Sequence, residues 1–436
     1  MRQWRFKFIM KKALFFPSYF GGGFGHISRC LVLSNGLREY GWSTAMVLAG
    51  KHVRVVKKNN CEVFNPWFPK RPNQKHGKLL GYLHISDTSY QVIRDGFTAP
   101  WRLWAAVSET LHFVDKYKPD VLIGDLSLLT YIIGQITKLP VVQIIRSIMH
   151  PSSPKIIWWT KPLEGAMPPD IHPVYDNLMR RWDISPLNLA EDLFQGDLYL
   201  IPSIPELEPM SGNQENTYYI GNLVKNEMNY SDLPAPFINT RNRPLVYITL
   251  GGGATHLGNH NFFGILNEAL KNAKWITVVS TGNVFNSSDL SPNLKNVYYY
   301  NWIPGSDAIK KSDGVFYHGG YGTSMEVVFN GKPSIILPFH SEQESNGRRL
   351  EQNSAAIVLK RTISEKSRKL LHFKWSFGTY SFWVEPINYE SPKIIHEKIT
   401  QIIEDSRIKK GAKYLQSCMK KYQGVTTAVH LIQNLV

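Results

Sequence analysis

Cysteine is scarce in this sequence: Cys30, Cys61 and Cys418 stand far apart among 436 residues, too few and too scattered for a disulfide framework or a structural metal site. No apolar run approaches the roughly 20 residues that a membrane-spanning helix needs. The opening Met1-Arg2-Gln3-Trp4-Arg5-Phe6-Lys7-Phe8-Ile9 is basic and aromatic, but it lacks the long apolar core and small-residue cleavage site of a signal peptide. Met10-Lys11-Lys12 reads as an ordinary start before a first strand, which makes residues 1–9 an extension. These absences point to a reducing cytoplasm.

Acidic residues are also in short supply, 34 against 50 Lys and Arg, and the formal net charge of +16 makes the surface attractive to anions. The excess is dispersed and accompanied by no nucleic-acid-binding motif, so nucleic acid is a poor partner. Anionic lipid, a phosphate-bearing acceptor or a nucleotide diphosphate fit better. Lys155-Ile156-Ile157-Trp158-Trp159-Thr160-Lys161 and Pro66-Trp67-Phe68-Pro69-Lys70-Arg71 mix aromatics with cations, either as interfacial anchors at the inner face of a membrane or as ordinary loop and core clusters.

With 43% hydrophobic and 19% charged residues the chain is globular, and it is too long for one ordinary core. Strand-like runs at 14–16, 45–48, 121–123, 141–145 and 198–201 alternate with helical stretches; the pattern restarts at 244–250 and continues through 276–280, 297–300, 315–317 and 334–337. This is an α/β pattern of two domains, 1–222 and 244–415, joined by a Pro/Asn/Asp-rich linker at 223–243. The amphipathic stretch 416–436 forms a last helix.

The densest chemistry lies at His318-Gly319-Gly320-Tyr321-Gly322-Thr323-Ser324. A buried strand, a Gly-rich turn and a helix starting near Thr323 make an anion seat, because the first N–H groups of a helix lack internal partners and its dipole favours negative charge. Thr323 and Ser324 are placed to cap that helix and donate hydroxyls to phosphate. Glu326, one turn on, suits a ribose diol, and Glu342-Gln343 suits the hydroxyls of a hexose.

The segment from Asn301-Trp302-Ile303-Pro304 to Asn346 resembles the signature of the UDP-glycosyltransferase family, whose GT-B fold sets two Rossmann-like domains across a cleft. The resemblance implies that Trp302 and Ile303 lie against the nucleobase and that His318 contacts the diphosphate. It gives Gly320, Gly322, Thr323 and Ser324 to the phosphates, Glu326 to the ribose, and Glu342 and Gln343 to the sugar. Gly251-Gly252-Gly253 is a further close-approach loop, with Gly252 expected near the donor. The family's last helix commonly returns to the first domain, so 416–436 is expected to cross over. The sequence has no Asp-x-Asp, which the other large glycosyltransferase fold uses to hold a metal; no metal and no cofactor are expected beyond the nucleotide-sugar co-substrate.

A second match lies in Gly21-Gly22-Gly23-Phe24-Gly25-His26, which follows the first strand. By itself it is a weak dinucleotide signal without the Rossmann spacing. The family carries a Gly-x-Gly-His or Gly-Gly-His element here, which makes Gly25 a donor-loop residue and His26 the catalytic base; the run through Arg29 also resembles the lipid II synthase branch. Imidazole suits the removal of a hydroxyl proton near pH 7, given an orienting carboxylate. In the family an Asp after this strand forms the dyad, which falls to Asp125, at the end of Val121-Leu122-Ile123-Gly124. A helix cap or phosphate contact for His26, and a helix N-cap for Asp125, are the other readings. The implied activity is inverting, metal-independent transfer of a hexosyl group from a UDP-sugar to an acceptor alcohol. Residues 64–111 and 151–186 are expected to line the acceptor side. A nucleotide-sugar epimerase of the same fold, or a non-catalytic nucleotide-sugar binder, is the alternative.

Overall fold

The computed structural model describes residues 10–18, 24–67, 81–85, 87–152, 163–212, 214–223, 233–238, 243–249, 251, 260–290, 294–359, 367–386 and 389–436. Its strands are Lys12–Pro17 (β1), Ser43–Val47 (β2), Glu62–Phe64 (β3), Tyr82–Leu83 (β4), Val121–Asp125 (β5), Val141–Ile144 (β6), Leu198–Ile201 (β7) and Thr217–Tyr219 (β8) in the first half. The second half supplies Leu245–Thr249 (β9), Ile276–Ser280 (β10), Val297–Tyr300 (β11), Gly314–Tyr317 (β12), Ser334–Ile336 (β13), Ala356–Val358 (β14), Lys369–Trp375 (β15) and Gly378–Glu385 (β16).

Two parallel sheets result, ordered β3-β2-β1-β5-β6-β7-β8 and β11-β10-β9-β12-β13-β14. Their strands read as unbroken apolar runs because both faces are covered, and successive side chains enter opposite layers. Leu14, Phe16 and Leu122 join one core with Leu103 and Val107 of helix Pro100–Tyr117. Ala13, Phe15, Val121 and Ile123 join the other with Ile27, Leu33 and Leu37 of helix Gly25–Glu39. The second sheet repeats the arrangement. Tyr247, Val315 and Tyr317 face Met325 and Val328 of helix Tyr321–Phe329, while Val246, Ile248 and Phe316 face Phe262 and Leu266 of helix His260–Leu270. Among the described residues no helix is long and apolar enough to cross a membrane.

The chain's end differs from a single helix over 416–436. Helix Ser406–Met419 stays with the second sheet, since Ile408, Ala412, Leu415, Cys418 and Met419 form one buried stripe. Gly424, at φ +54°, breaks the chain's course. Helix Val425–Leu435 then lies on Gly25–Glu39, where Ala428, Val429 and Ile432 are fully buried in the first domain's core. Burial of side chains the size of Val and Ile is worth ~1.5–3 kcal/mol each.

One element has no counterpart in the sequence reading. β15 and β16 form an antiparallel hairpin, and β16 also pairs with β4 of the first half, Val384 against Leu83 and Glu385 against Tyr82. Tyr90 of the first half donates its hydroxyl to the Ser381 carbonyl at 2.7 Å, and Ser381 N–H donates to the Met167 carbonyl at 2.8 Å. The second domain thus reaches across and is stitched to the first.

Two helical glycines test the docking of the last helix. A Cβ on Gly36 meets Val425 Cγ1 at 2.2 Å, whereas one on Gly264 meets nothing within 4 Å. Removing a helical glycine gains up to about 1 kcal/mol where space is free, and overpacking costs about 1–3 kcal/mol where it is not. Gly264→Ala is expected to raise the thermal midpoint and Gly36→Ala to lower it. Equal rises would mean that Val425–Leu435 does not sit on Gly25–Glu39.

Candidate active site

The C-terminal ends of the central strands in both sheets open on one cleft. On the first domain's side β5 ends in Asp125, opposite Pro17 of β1, with no exposure to solvent. His26, in the first turn of helix Gly25–Glu39, brings Nδ1 to 2.7 Å from Asp125 Oδ1. Arg29, one turn further, donates Nε to Oδ2 at 2.8 Å and Nη2 to Oδ1 at 2.7 Å. Burial alone would raise the Asp125 carboxyl, but Arg29 and His26 outweigh it and hold it below the ordinary carboxylate range. A carboxylate accepting from Nδ1–H fixes the tautomer that leaves Nε2 free to take a proton. The His26 side chain retains 28% exposure, so it remains open to a ligand.

Across the cleft, helix Tyr321–Phe329 begins after Gly320, two residues earlier than Thr323. A Cβ on Gly322 would lie 4.0 Å from the Gly25 Cα, an ordinary contact distance, so the two helix N-termini stand directly against each other. Their positive ends converge on one volume. The His318 ring is held between Gly251 and Gly320, where added Cβ atoms would stand 2.7 Å from Cε1 and 2.4 Å from Nε2. Gly319 turns the chain at φ +86°, with no room for a side chain beside the Gln343 carbonyl. Burial, with His340 nearby, lowers His318 to a pKa of about 4. Its buried Nδ1 has no hydrogen-bond partner among the described residues.

Glu326 lies largely buried one turn into the helix. Its carboxyl is raised by burial, despite Ser306 beside it, and Oε2 is without a hydrogen-bond partner among the described residues. Trp302 is 62% exposed and Ile303 buried, so the indole alone of this pair presents an open surface. Glu342, in the first turn of helix Ser341–Gln352, is bound by Arg146 Nη1 at 2.8 Å. Gln343 Oε1 accepts from the Phe339 N–H at 2.8 Å.

Ser324 is directed elsewhere. Its N–H donates to the Gly320 carbonyl at 2.9 Å, and its buried hydroxyl engages that same carbonyl at 3.1 Å and Tyr317 at 2.9 Å. The hydroxyl expected to reach phosphate is instead buried and engaged within the domain, between the Gly320 carbonyl and Tyr317, and the earlier helix start also takes up the Ser324 N–H. Thr323 is half-buried beside the cleft. Gly252 lies outside the described residues.

Arg29 and Arg146 were not singled out in the sequence, and both rest on the ring of Tyr321, at 5.6 and 4.5 Å from its centroid. For Arg29 a signal was present: His26 and Arg29 are three apart on one helix face. Beside Asp125, a cavity runs between Phe16, Ser18, Val47, Asp95, Phe97 and Leu128. It is mainly apolar, and its one carboxylate, Asp95, is paired with Arg94 at 2.7 Å.

The buried imidazole carries a pH signature. His318 has a folded pKa of about 4 against 6.5 for the free side chain. As pH falls from 6.5 towards 4 the unfolded chain takes a proton that the fold refuses, so this residue's contribution to stability declines across that window. His318→Asn is therefore expected to gain thermal stability relative to wild type between pH 7 and pH 4.5. A constant difference across that range would place His318 in water.

Residues 267–371 match the model of the glycosyltransferase family 28 C-terminal domain. A PGL/p-HBAD biosynthesis rhamnosyltransferase of Mycobacterium bovis is 25% identical over 291 residues, 61% of either chain, so the match spans about three-fifths of that relative's length. The glycosyltransferase SnogD from Streptomyces nogalater superposes with a TM-score of 0.69 at 15% identity, over 98% of this chain and 100% of that one. The spinosyn rhamnosyltransferase SpnG, complexed with thymidine diphosphate, gives 0.67 at 16%, over 97% and 100%. Residues 267–371 thus carry the mark of a glycosyltransferase C-terminal domain, and the chain as a whole has the GT-B fold, with His26 at the head of one helix and helix Tyr321–Phe329 facing it.

Proposed function

We propose that the protein is an inverting glycosyltransferase that moves a hexosyl group from a nucleoside diphosphate sugar to an acceptor hydroxyl by single displacement. The observation that carries this reading is the pairing of His26 with a buried Asp125 directly opposite the start of helix Tyr321–Phe329. His26 Nε2 takes the acceptor proton as the hydroxyl oxygen attacks C1, and the C1–O bond to the diphosphate breaks on the opposite side. The departing charge is met by the N–H groups at Gly322 and Thr323, the facing helix end and His318. Trp302 flanks the base, Glu326 the ribose, and Glu342 with Gln343 the sugar.

The donor nucleotide is a pyrimidine, uridine by the family signature; the thymidine diphosphate in the SpnG structure supports the same class. The acceptor carries an apolar body, which the cavity beside Asp125 suits. The reading calls on no metal, because the facing helix ends and His318 are there to meet the diphosphate charge. Buried, unpaired Cys30, Cys61 and Cys418 favour a cytoplasmic setting.

His26→Ala is expected to lower kcat by about 100-fold or more, the usual worth of a general base, with donor affinity nearly unchanged. Release of nucleoside diphosphate, followed with and without an acceptor alcohol, measures this, and wild-type turnover is expected to persist in excess EDTA. Retention of a tenth of the activity by the variant would remove His26 from the base role; loss in EDTA restored by Mg2+ would overturn the metal-free reading.

Glu326→Ala is expected to weaken binding of uridine diphosphate through the ribose, by ~1.5–3 kcal/mol for hydrogen bonds to a charged group, and to leave pyrophosphate binding alone. Calorimetry with both ligands separates the two. Equal losses would place Glu326 away from the ribose.

A further inference from the structure

Arg146 follows β6 in the first domain, and its guanidinium is buried at the interface, with 6% of the side chain exposed. Nε and Nη2 donate to Glu208 Oε1 at 3.0 and 2.6 Å. Nη2 also donates to Asn346 Oδ1 at 2.7 Å, and Nη1 to Glu342 Oε1 at 2.8 Å. Its flat face rests on Tyr321. Glu208 is in turn fixed by Ser147, whose N–H and hydroxyl donate to Oε2 at 2.9 and 2.6 Å. Asn346 passes its amide to the Gly319 carbonyl at 2.8 Å. Arg146 and Glu208 belong to the first domain; Glu342, Asn346, Gly319 and Tyr321 belong to the second.

The charges do not balance within this cluster. One arginine meets two carboxylates, and Glu208, 2% exposed, already has its oxygens engaged. Glu342 is 34% exposed, and among the described residues only its Oε1 is held. Burial would raise its carboxyl, but Arg146, then His340 and His26, turn the shift downward and keep it ionised. A carboxylate pinned by one oxygen presents the other in a fixed direction, as recognition of a sugar hydroxyl requires.

The clamp has a second arm. Segment 82–85 of the first domain lies along the start of the helix that carries Glu342. Leu83 N–H donates to the Phe339 carbonyl at 2.9 Å, Ile85 N–H to Ser341 Oγ at 3.1 Å, and Tyr82 hydroxyl to Glu344 Oε2 at 2.7 Å. The residues around Glu342 are thus tied to the first domain on both sides.

We propose that Arg146 is a positioning residue for the donor sugar. By holding Glu342 across the interface it completes the sugar site only when the two domains are closed, so that selection of the sugar is made by a second-domain carboxylate under first-domain control. The inference rests on the function proposed above. It assigns no contact between Arg146 and the ligand: Arg146 acts through Glu342. Lysine cannot replace it, because three acceptors and an aromatic face call for a planar fork.

Arg146→Lys, Glu342→Ala and the double variant, titrated with uridine diphosphate and with uridine diphosphate glucose, test this. Wild type is expected to bind both, and failure to bind either would reject the proposed function itself. Each single variant is expected to lose about 10-fold or more in affinity for the nucleotide sugar, as for a hydrogen bond to a charged group, with uridine diphosphate affinity within about 2-fold of wild type. The double variant is expected to be no worse than Glu342→Ala. Equal losses for both ligands would make Arg146 merely structural, and additive losses would make it act independently of Glu342; either result overturns the proposal. The ligand-free thermal midpoints of the same four proteins supply a readout that needs no donor. They are expected to be non-additive, and additivity there overturns the proposal too.

Discussion

A carboxylate without exposure to water stands at the end of β5, and the first domain's side of the cleft is arranged to keep it ionised. Asp125 at this depth would take up a proton if left alone. Arg29 supplies two donors and a full charge, and His26 supplies a third donor. This order of strengths has a chemical consequence. Arg29 neutralises the carboxylate whatever the state of His26, so the imidazole can gain and lose a proton without leaving a bare buried charge. Both groups depend on one helix beginning at Gly25, and that helix is held against the sheet in part by the last helix of the chain.

Opposite signs alternate across the interface. Arg29 and Arg146 share Tyr321, the first residue of the facing helix, while Glu208 and Glu342 share Arg146. Both of these arginines are therefore paired, and a diphosphate bound there would be met chiefly by backbone N–H groups and dipoles. Preorganised dipoles need no reorganisation as charge develops on the leaving group, and paired arginines do not trap the product.

The strand pattern was legible because β1, β5, β9 and β12 are buried on both faces and read as short apolar runs bounded by turns. His318, Glu326 and Glu342 could be grouped from the sequence because strand, turn and helices lie within about thirty residues of each other, as in other strand–loop–helix ligand sites, while His26 opens a separate strand–loop–helix unit in the first half. Ser324 misled because a motif fixes the helix start only to a residue or two, and one position decides whether an N–H is open or bonded within the helix. Arg146 was invisible for a different reason. Its partners Glu342 and Asn346 are 196 and 200 residues away, and a lone arginine after a strand carries no trace of them. The hairpin carried a signal, with aromatic and β-branched residues on both sides of Gly378, yet its pairing with β4 is a tertiary fact.

That pairing bears on water. On the function proposed above, a histidine that deprotonates an alcohol would also deprotonate water, so hydrolysis of the donor is the side reaction to suppress. β16 bridges to β4 while Tyr90, Phe373, Tyr380 and Phe382 pack together between the hairpin and the first domain. Arg368 pairs with Glu385 at 2.9 Å, His84 Nε2 lies at the same distance and Glu385 is 1% exposed, so polar contacts in place of solvent fill this seam. With this side closed, the proposed function would bring the acceptor in by way of the apolar cavity near the end of β1. On the function proposed above, an acceptor seated at its mouth would displace the water that His26 could otherwise activate, so shape in the first domain would weigh on productive transfer alongside the charged groups.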